Sequence, residues 1–220
     1  MDDEDIRLAI YHSFATTGAP PAYDELASRL GGTYDDVVRG ISRLADQRHV
    51  VVDEAGSIVM AHPFASIPLG FSVMGRSTLW WGGCCWDSFA IPHLLTDEPD
   101  VLVATRCPGC DGPEAWVVDR EGPPDSDWLA HFLVPVSRMW DDVVHTCRNQ
   151  RLFCSEGCID DWLERGSHQK GYVMDMETLW RLAAGWYQGR LDRGYVRREP
   201  VAASEYLRSV GLADPFWGTG

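Results

Sequence analysis

The chain has 220 residues and a net charge of −14, with 45% hydrophobic and 11% aromatic residues. That length makes one large domain or two small ones and can bury a real core, and the composition is that of a globular protein rather than a disordered one. An acidic balance of this size argues against a nucleic-acid partner, since phosphate binding needs a basic surface.

The start, Met1-Asp2-Asp3-Glu4-Asp5, lacks the basic n-region and apolar h-region of a signal peptide. No apolar run approaches the length of a membrane span. The sequence therefore predicts a cytoplasmic chain with no membrane partner. Ile6, Ala9, Ile10, Ser13 and Phe14 recur at helical spacing over 5–17, and Gly18-Ala19-Pro20-Pro21 ends that helix. A second helix spans 23–30 and stops at Gly31-Gly32. Thr33 suits an N-cap, Asp35 and Asp36 suit the first turn, and Val37, Val38, Ile41 and Leu44 mark a third helix. Val50-Val51-Val52, a turn at Asp53 to Gly56, and Ile58-Val59-Met60 read as a hairpin.

Three helices and a hairpin make a winged-helix pattern over residues 1–62. The charge speaks against DNA binding there: 11 Asp or Glu face 5 Arg, a balance of −6. His62-Pro63 to Pro68 reads as a linker. Residues 63–220 then form a mixed α/β body, so the fold class is α+β. Strands are predicted at Phe71 to Val73, Val101 to Thr105, Ala115 to Asp119, Phe132 to Val136 and Gly171 to Met174. Helices are predicted from about Cys84 to Leu95, Ser155 to Arg165 and Met176 to Leu191.

Seven cysteines carry the chemistry. In a reducing compartment they read as soft-metal ligands or nucleophiles rather than a disulfide framework. A helix opening near Cys84 would place its thiol and the Asp87 carboxyl on one face. The helix N-terminus favours a thiolate, while the apolar neighbours Trp80, Trp81, Trp86 and Phe89 would raise the carboxyl pKa. Trp81 and Trp86 are candidate pocket walls. Cys147, after a helix ending near His145, gains meaning only as a partner for Cys84. Cys107-Pro108-Gly109-Cys110 and Cys154-Ser155-Glu156-Gly157-Cys158 are two short-spaced pairs of the kind that build a tetrahedral four-cysteine zinc site. The same four thiols could hold mercury or sense copper. His62, His93, His131 and His145 show no ligand spacing and are assigned nothing.

The string Trp81-Gly82-Gly83-Cys84-Cys85-Trp86-Asp87-Ser88-Phe89-Ala90-Ile91-Pro92-His93-Leu94-Leu95 resembles the organomercurial (alkylmercury) lyases, as does the position of Cys147 ahead of Asp161-Trp162. The resemblance runs from about residue 5 to 195. It implies a reaction: protonolysis of the carbon–mercury bond of R–Hg⁺ to a hydrocarbon and Hg(II). Cys84 and Cys147 would capture the mercury and Asp87 would supply the proton, with no organic cofactor and Hg²⁺ as bound product. It further implies hand-off of Hg(II) to a mercuric reductase or a low-molecular-weight thiol. The chain departs from the family pattern in three ways. The doublet Cys84-Cys85 stands at the upstream site, Gly83 replaces an aromatic residue, and the two further cysteine pairs are extra. Two other readings stay open: a non-enzymatic thiol-rich sensor or chaperone for zinc, copper or mercury, and a lyase of secondary metabolism on the same fold.

Overall fold

A computed structural model describes residues 1–219. The fold is mixed α+β, with two antiparallel sheets. Three helices come first: α1 (Asp3–Thr17), α2 (Tyr23–Leu30) and α3 (Tyr34–Asp46). Each has a local reason to begin or end where it does. Asp2 caps α1, Gly18 and Gly31 end α1 and α2 in the left-handed conformation, and Thr33 with Asp36 forms a capping box on α3.

The strands β1 (Val51–Val52), β2 (Ile58–Ala61), β3 (Phe64–Ala65), β4 (Phe71–Met74) and β5 (Leu79–Gly82) follow. After them come helix α4 (Cys85–Leu94) and the strands β6 (Asp100–Arg106) and β7 (Pro113–Asp119). These seven strands form one sheet in the order β1-β2-β3-β5-β4-β6-β7. The alternation in β6 is clean: Val101, Val103 and Thr105 are buried, and Asp100, Leu102 and Arg106 are exposed. One sheet face packs on α4, which is apolar all round because a further helix covers its other side.

The second half contains β8 (Leu129–Phe132), α5 (Val143–Arg148), β9 (Gln150–Phe153), α6 (Glu156–Gly166), β10 (Tyr172–Asp175), α7 (Met176–Trp186) and α8 (Pro200–Ser209). Strands β10, β8 and β9 make the second sheet, in that order. Helix α7 is the one that covers α4. A single large core runs through both sheets, and a small separate one gathers Cys107, Phe153, Ile159 and Leu163 beneath α6. Among the described residues no helix is long and apolar enough to cross a membrane.

Several expectations shift. The segment expected as a linker is not one. Pro63, Phe64 and Ala65 are buried, and β3 pairs with both β2 and β5, so the sheet runs without a break from the N-terminal hairpin into the rest of the chain. The Trp-Gly turn before Cys84 is strand β5, paired with β3 and β4. The strand expected at 132–136 lies earlier, at Leu129–Phe132, and α7 stops at Trp186 rather than near Leu191.

Candidate active site

Cys84 is not the first residue of α4 but its N-cap. Its sulfur accepts from the Asp87 backbone N–H at 3.4 Å. Two glycines let the strand enter the helix this tightly. A Cβ on Gly82 would stand 2.0 Å from Ser88 Oγ, and one on Gly83 would stand 2.2 Å from Asp87 Oδ2. Gly83 thus occupies the place where an aromatic side chain was expected because the Asp87 carboxylate fills the space.

Asp87 is fully buried and holds three groups. The Cys84 thiol donates to Oδ2 at 3.3 Å, and the Cys147 thiol reaches the same oxygen at 4.0 Å. The Tyr187 hydroxyl donates to Oδ1 in a short hydrogen bond. Cys147 sits within α5, not after its end, and its sulfur lies 3.5 Å from His62 Nε2. The residues singled out from 60 positions apart in sequence therefore meet on one carboxylate oxygen.

Behind Tyr187 lies Arg190, itself buried, with its guanidinium 4.8 Å above the tyrosine ring. Arg190 donates to the Tyr11 hydroxyl at 3.3 Å, the Tyr195 hydroxyl at 3.0 Å and the His62 carbonyl at 3.1 Å. Helix α1 so reaches the back of the site through Tyr11.

A half-enclosed cavity of about 110 Å³ opens over these groups, and Trp86, Met139, Trp140 and Trp186 line it together with Arg197 and Arg198. It approaches the ~150 Å³ of an engineered cavity that takes up benzene, so a small organic group fits. Trp86 is a wall as expected. Trp81 is not: it faces a different groove, with Pro68 and Arg151, and Trp80 is buried with its indole N–H on the Phe14 carbonyl. Cys85 points into the core and does not line the cavity.

Burial dominates the electrostatics. It pushes the Asp87 carboxyl up to about 7, against the hydrogen bonds from Tyr187 and Cys84 and the charge of Arg190. It holds the Cys84 thiol well above its ordinary value. For Cys147, a hydrogen bond with Cys84 pulls downward, but burial and the Asp87 charge outweigh it and the thiol is raised. The helix N-terminus was expected to favour a Cys84 thiolate, and desolvation wins over it. Burial, with the charges of Arg190 and Arg197, lowers His62 to about 3 and keeps its imidazole neutral. Burial thus favours the protonated forms of the two thiols, of the Tyr187 phenol and, toward neutrality, of the carboxyl.

His62, Tyr187 and Arg190 had no mark in the sequence. Tyr187 lies 100 residues from the aspartate it touches, and only the packing of α7 on α4 brings them together.

Cys107, Cys110, Cys154 and Cys158 form a second cluster, away from the cavity, with all four sulfurs within 4.8 Å of one another.

The alkylmercury lyase family model matches residues 64–188, a stretch that contains Cys84, Asp87, Cys147 and Tyr187. No curated protein matches the sequence. Among solved structures, the mercury-bound form of MerB2 is similar, with a TM-score of 0.66 and 18% identity over 87% of this chain and 93% of that one. That likeness is one of fold, and the family match covers more than half of the 220 residues. The chain belongs to the alkylmercury lyase family.

Proposed function

We propose that the protein is an organomercurial lyase that cleaves the carbon–mercury bond of R–Hg⁺ by protonolysis, with Cys84 and Cys147 as mercury ligands and Asp87 as the acid. One observation carries this reading: two thiols share a single carboxylate oxygen at 3.3 and 4.0 Å, and all three groups line one cavity. Mercury is soft and prefers thiolate. A purely chelating site has no use for a buried carboxyl poised near neutrality, and protonolysis requires one.

The proton count balances. The Cys147 thiol bonds to mercury as the ligand X of R–Hg–X leaves, and its proton departs with X as HX. The Cys84 thiol then bonds to mercury and gives its proton to Oδ2 of the ionised form of Asp87, which is available near neutral pH. The second thiolate donor weakens the carbon–mercury bond. Asp87 delivers the proton to carbon as the Hg–C electron pair becomes the C–H bond. The products are RH, HX and Hg(II) held by two thiolates. Tyr187 is a positioning residue: by occupying Oδ1 it turns Oδ2 toward the sulfurs. No step calls for an organic cofactor. The reduced thiols this chemistry needs suit the cytoplasm, and a soluble thiol or a mercuric reductase is the natural acceptor of the product.

The test is benzene release from phenylmercury. Cys84→Ser and Cys147→Ser should each abolish it. Asp87→Asn should keep mercury capture yet lose on the order of 100- to 10,000-fold in turnover. Near-wild-type release from Cys147→Ser would overturn the assignment.

Residues 1–62 we read as a winged-helix-like unit that backs the site and does not bind DNA. In support, α3 spends its arginines on acids: Arg39 pairs with Asp36 at 2.6 Å and Arg43 with Asp3 at 2.6 Å.

A further inference from the structure

Five thiols take no part in that chemistry, and four of them gather in one place. Cys107 and Cys110 bracket the turn between β6 and β7, and Cys154 and Cys158 flank the start of α6. Cys154 Sγ lies 3.4 Å from Cys158, 3.6 Å from Cys110 and 3.7 Å from Cys107. Sulfurs about 2.3 Å from one central zinc at tetrahedral angles stand about 3.8 Å apart. A disulfide would bring a pair to about 2 Å, and all four cysteines are free. We propose that Cys107, Cys110, Cys154 and Cys158 hold one structural zinc ion in a closed tetrahedral site.

The backbone around the sulfurs is built for close approach. A Cβ on Gly109 would lie 2.5 Å from both Cys158 Cβ and the Cys158 carbonyl oxygen, so glycine alone lets the β6–β7 turn press on α6. Asp111 then takes φ 60°, in the left-handed region, and its N–H donates to the Cys107 carbonyl at 2.8 Å. That closes a knuckle with both thiols on one side. On the other half, Ser155 caps α6 by accepting from the Cys158 N–H at 3.2 Å, which fixes the second pair. Arg165 bridges the halves, donating to the carbonyls of Pro108 and Gly109 at 2.8 and 2.9 Å.

Four thiolates fill a tetrahedral shell and leave no position for a substrate, which makes the role structural rather than catalytic. The location explains the need. One pair belongs to the seven-stranded sheet and the other follows the three-stranded sheet. Beneath it lies a small core of Phe153, Ile159 and Leu163, with Trp128, Trp162 and Val173 partly buried against it. So few buried side chains hold little on their own, and a metal contributes folding free energy directly.

The full-length protein, purified without added metal, should contain about one zinc per chain by elemental analysis. Cys154→Ser should lose it, and Cys84→Ser and Cys147→Ser should keep it, which separates this site from the lyase chemistry. Removing zinc from the wild type with a chelator should lower its melting temperature. Should Cys154→Ser fail to fold, cobalt(II) exchanged into the wild type gives an independent reading: thiolate-to-cobalt charge transfer with tetrahedral d–d bands. Folded wild-type protein with neither zinc nor that cobalt spectrum would overturn the site. So would iron in place of zinc, zinc that vanishes in Cys84→Ser, or a melting temperature that chelation leaves unmoved.

Discussion

A carboxyl group in water gives up its proton near about pH 4, too early to protonate carbon at neutral pH. In Asp87 burial moves that point to about 7, and the gap from the ordinary 3.8 corresponds to about 4 kcal/mol. The protein bears this cost as stability. The neutral carboxyl is the favoured buried form, so the contribution is fully present below the unfolded value and is lost as pH rises through about 7. Asp87→Asn, which keeps the shape and an acceptor for Tyr187, should therefore be as stable as wild type near about pH 4. It should be more stable by a few kcal/mol near about pH 8. Thermal melts of the two proteins across that range check this, and a difference that stays flat with pH would show that Asp87 is ionised at rest.

The junction of β5 with α4 is the element on which the site depends. Gly83 leaves room for Asp87 Oδ2 where a Cβ would stand 2.2 Å away, and Met60 closes the other side at 2.7 Å. Gly83→Ala must displace the carboxylate, and a misplacement of this kind costs on the order of 100-fold in turnover. Expected is a drop in benzene release of that size with mercury capture by the two thiols retained; full activity would show that the junction yields. This junction also marks where sequence reading ran out. The strands β4, β6 and β7 and the helices α2, α4 and α6 were legible because their periodicity or caps are local. Trp80-Trp81-Gly82-Gly83 carries two aromatics and two glycines, and it reads as a turn until β3 and β4 pair with it on either side. Strand β9 is only four residues, set between two helices, and owes its existence to β8. In the site, Cys84, Asp87 and Cys147 could be read from spacing and family likeness. Tyr187, Arg190 and His62 could not, since each arrives by tertiary packing alone.

At the scale of the molecule the seven-stranded sheet joins the N-terminal hairpin to the strands around α4, and in the proposed reading residues 1–62 support the site. Tyr11 and the His62 carbonyl hold Arg190 beneath Tyr187, so α1 steadies the acid from behind. The balance of −6 in this segment, with Arg39 and Arg43 already paired, predicts that the full chain leaves duplex DNA unshifted in a gel at low salt. Retention independent of sequence would contradict that and point to a sensor. Strand β9 connects the two thiol clusters directly. Gln150, at its start, lines the cavity, and Cys154 follows its last residue. Four residues of extended chain span roughly 13 Å. A single mercury ion held between two sulfurs spans far less than that length of strand. If the protein releases Hg(II) as proposed, the ion leaves through the mouth of the cavity by which its substrate entered, and a thiol on another molecule receives it.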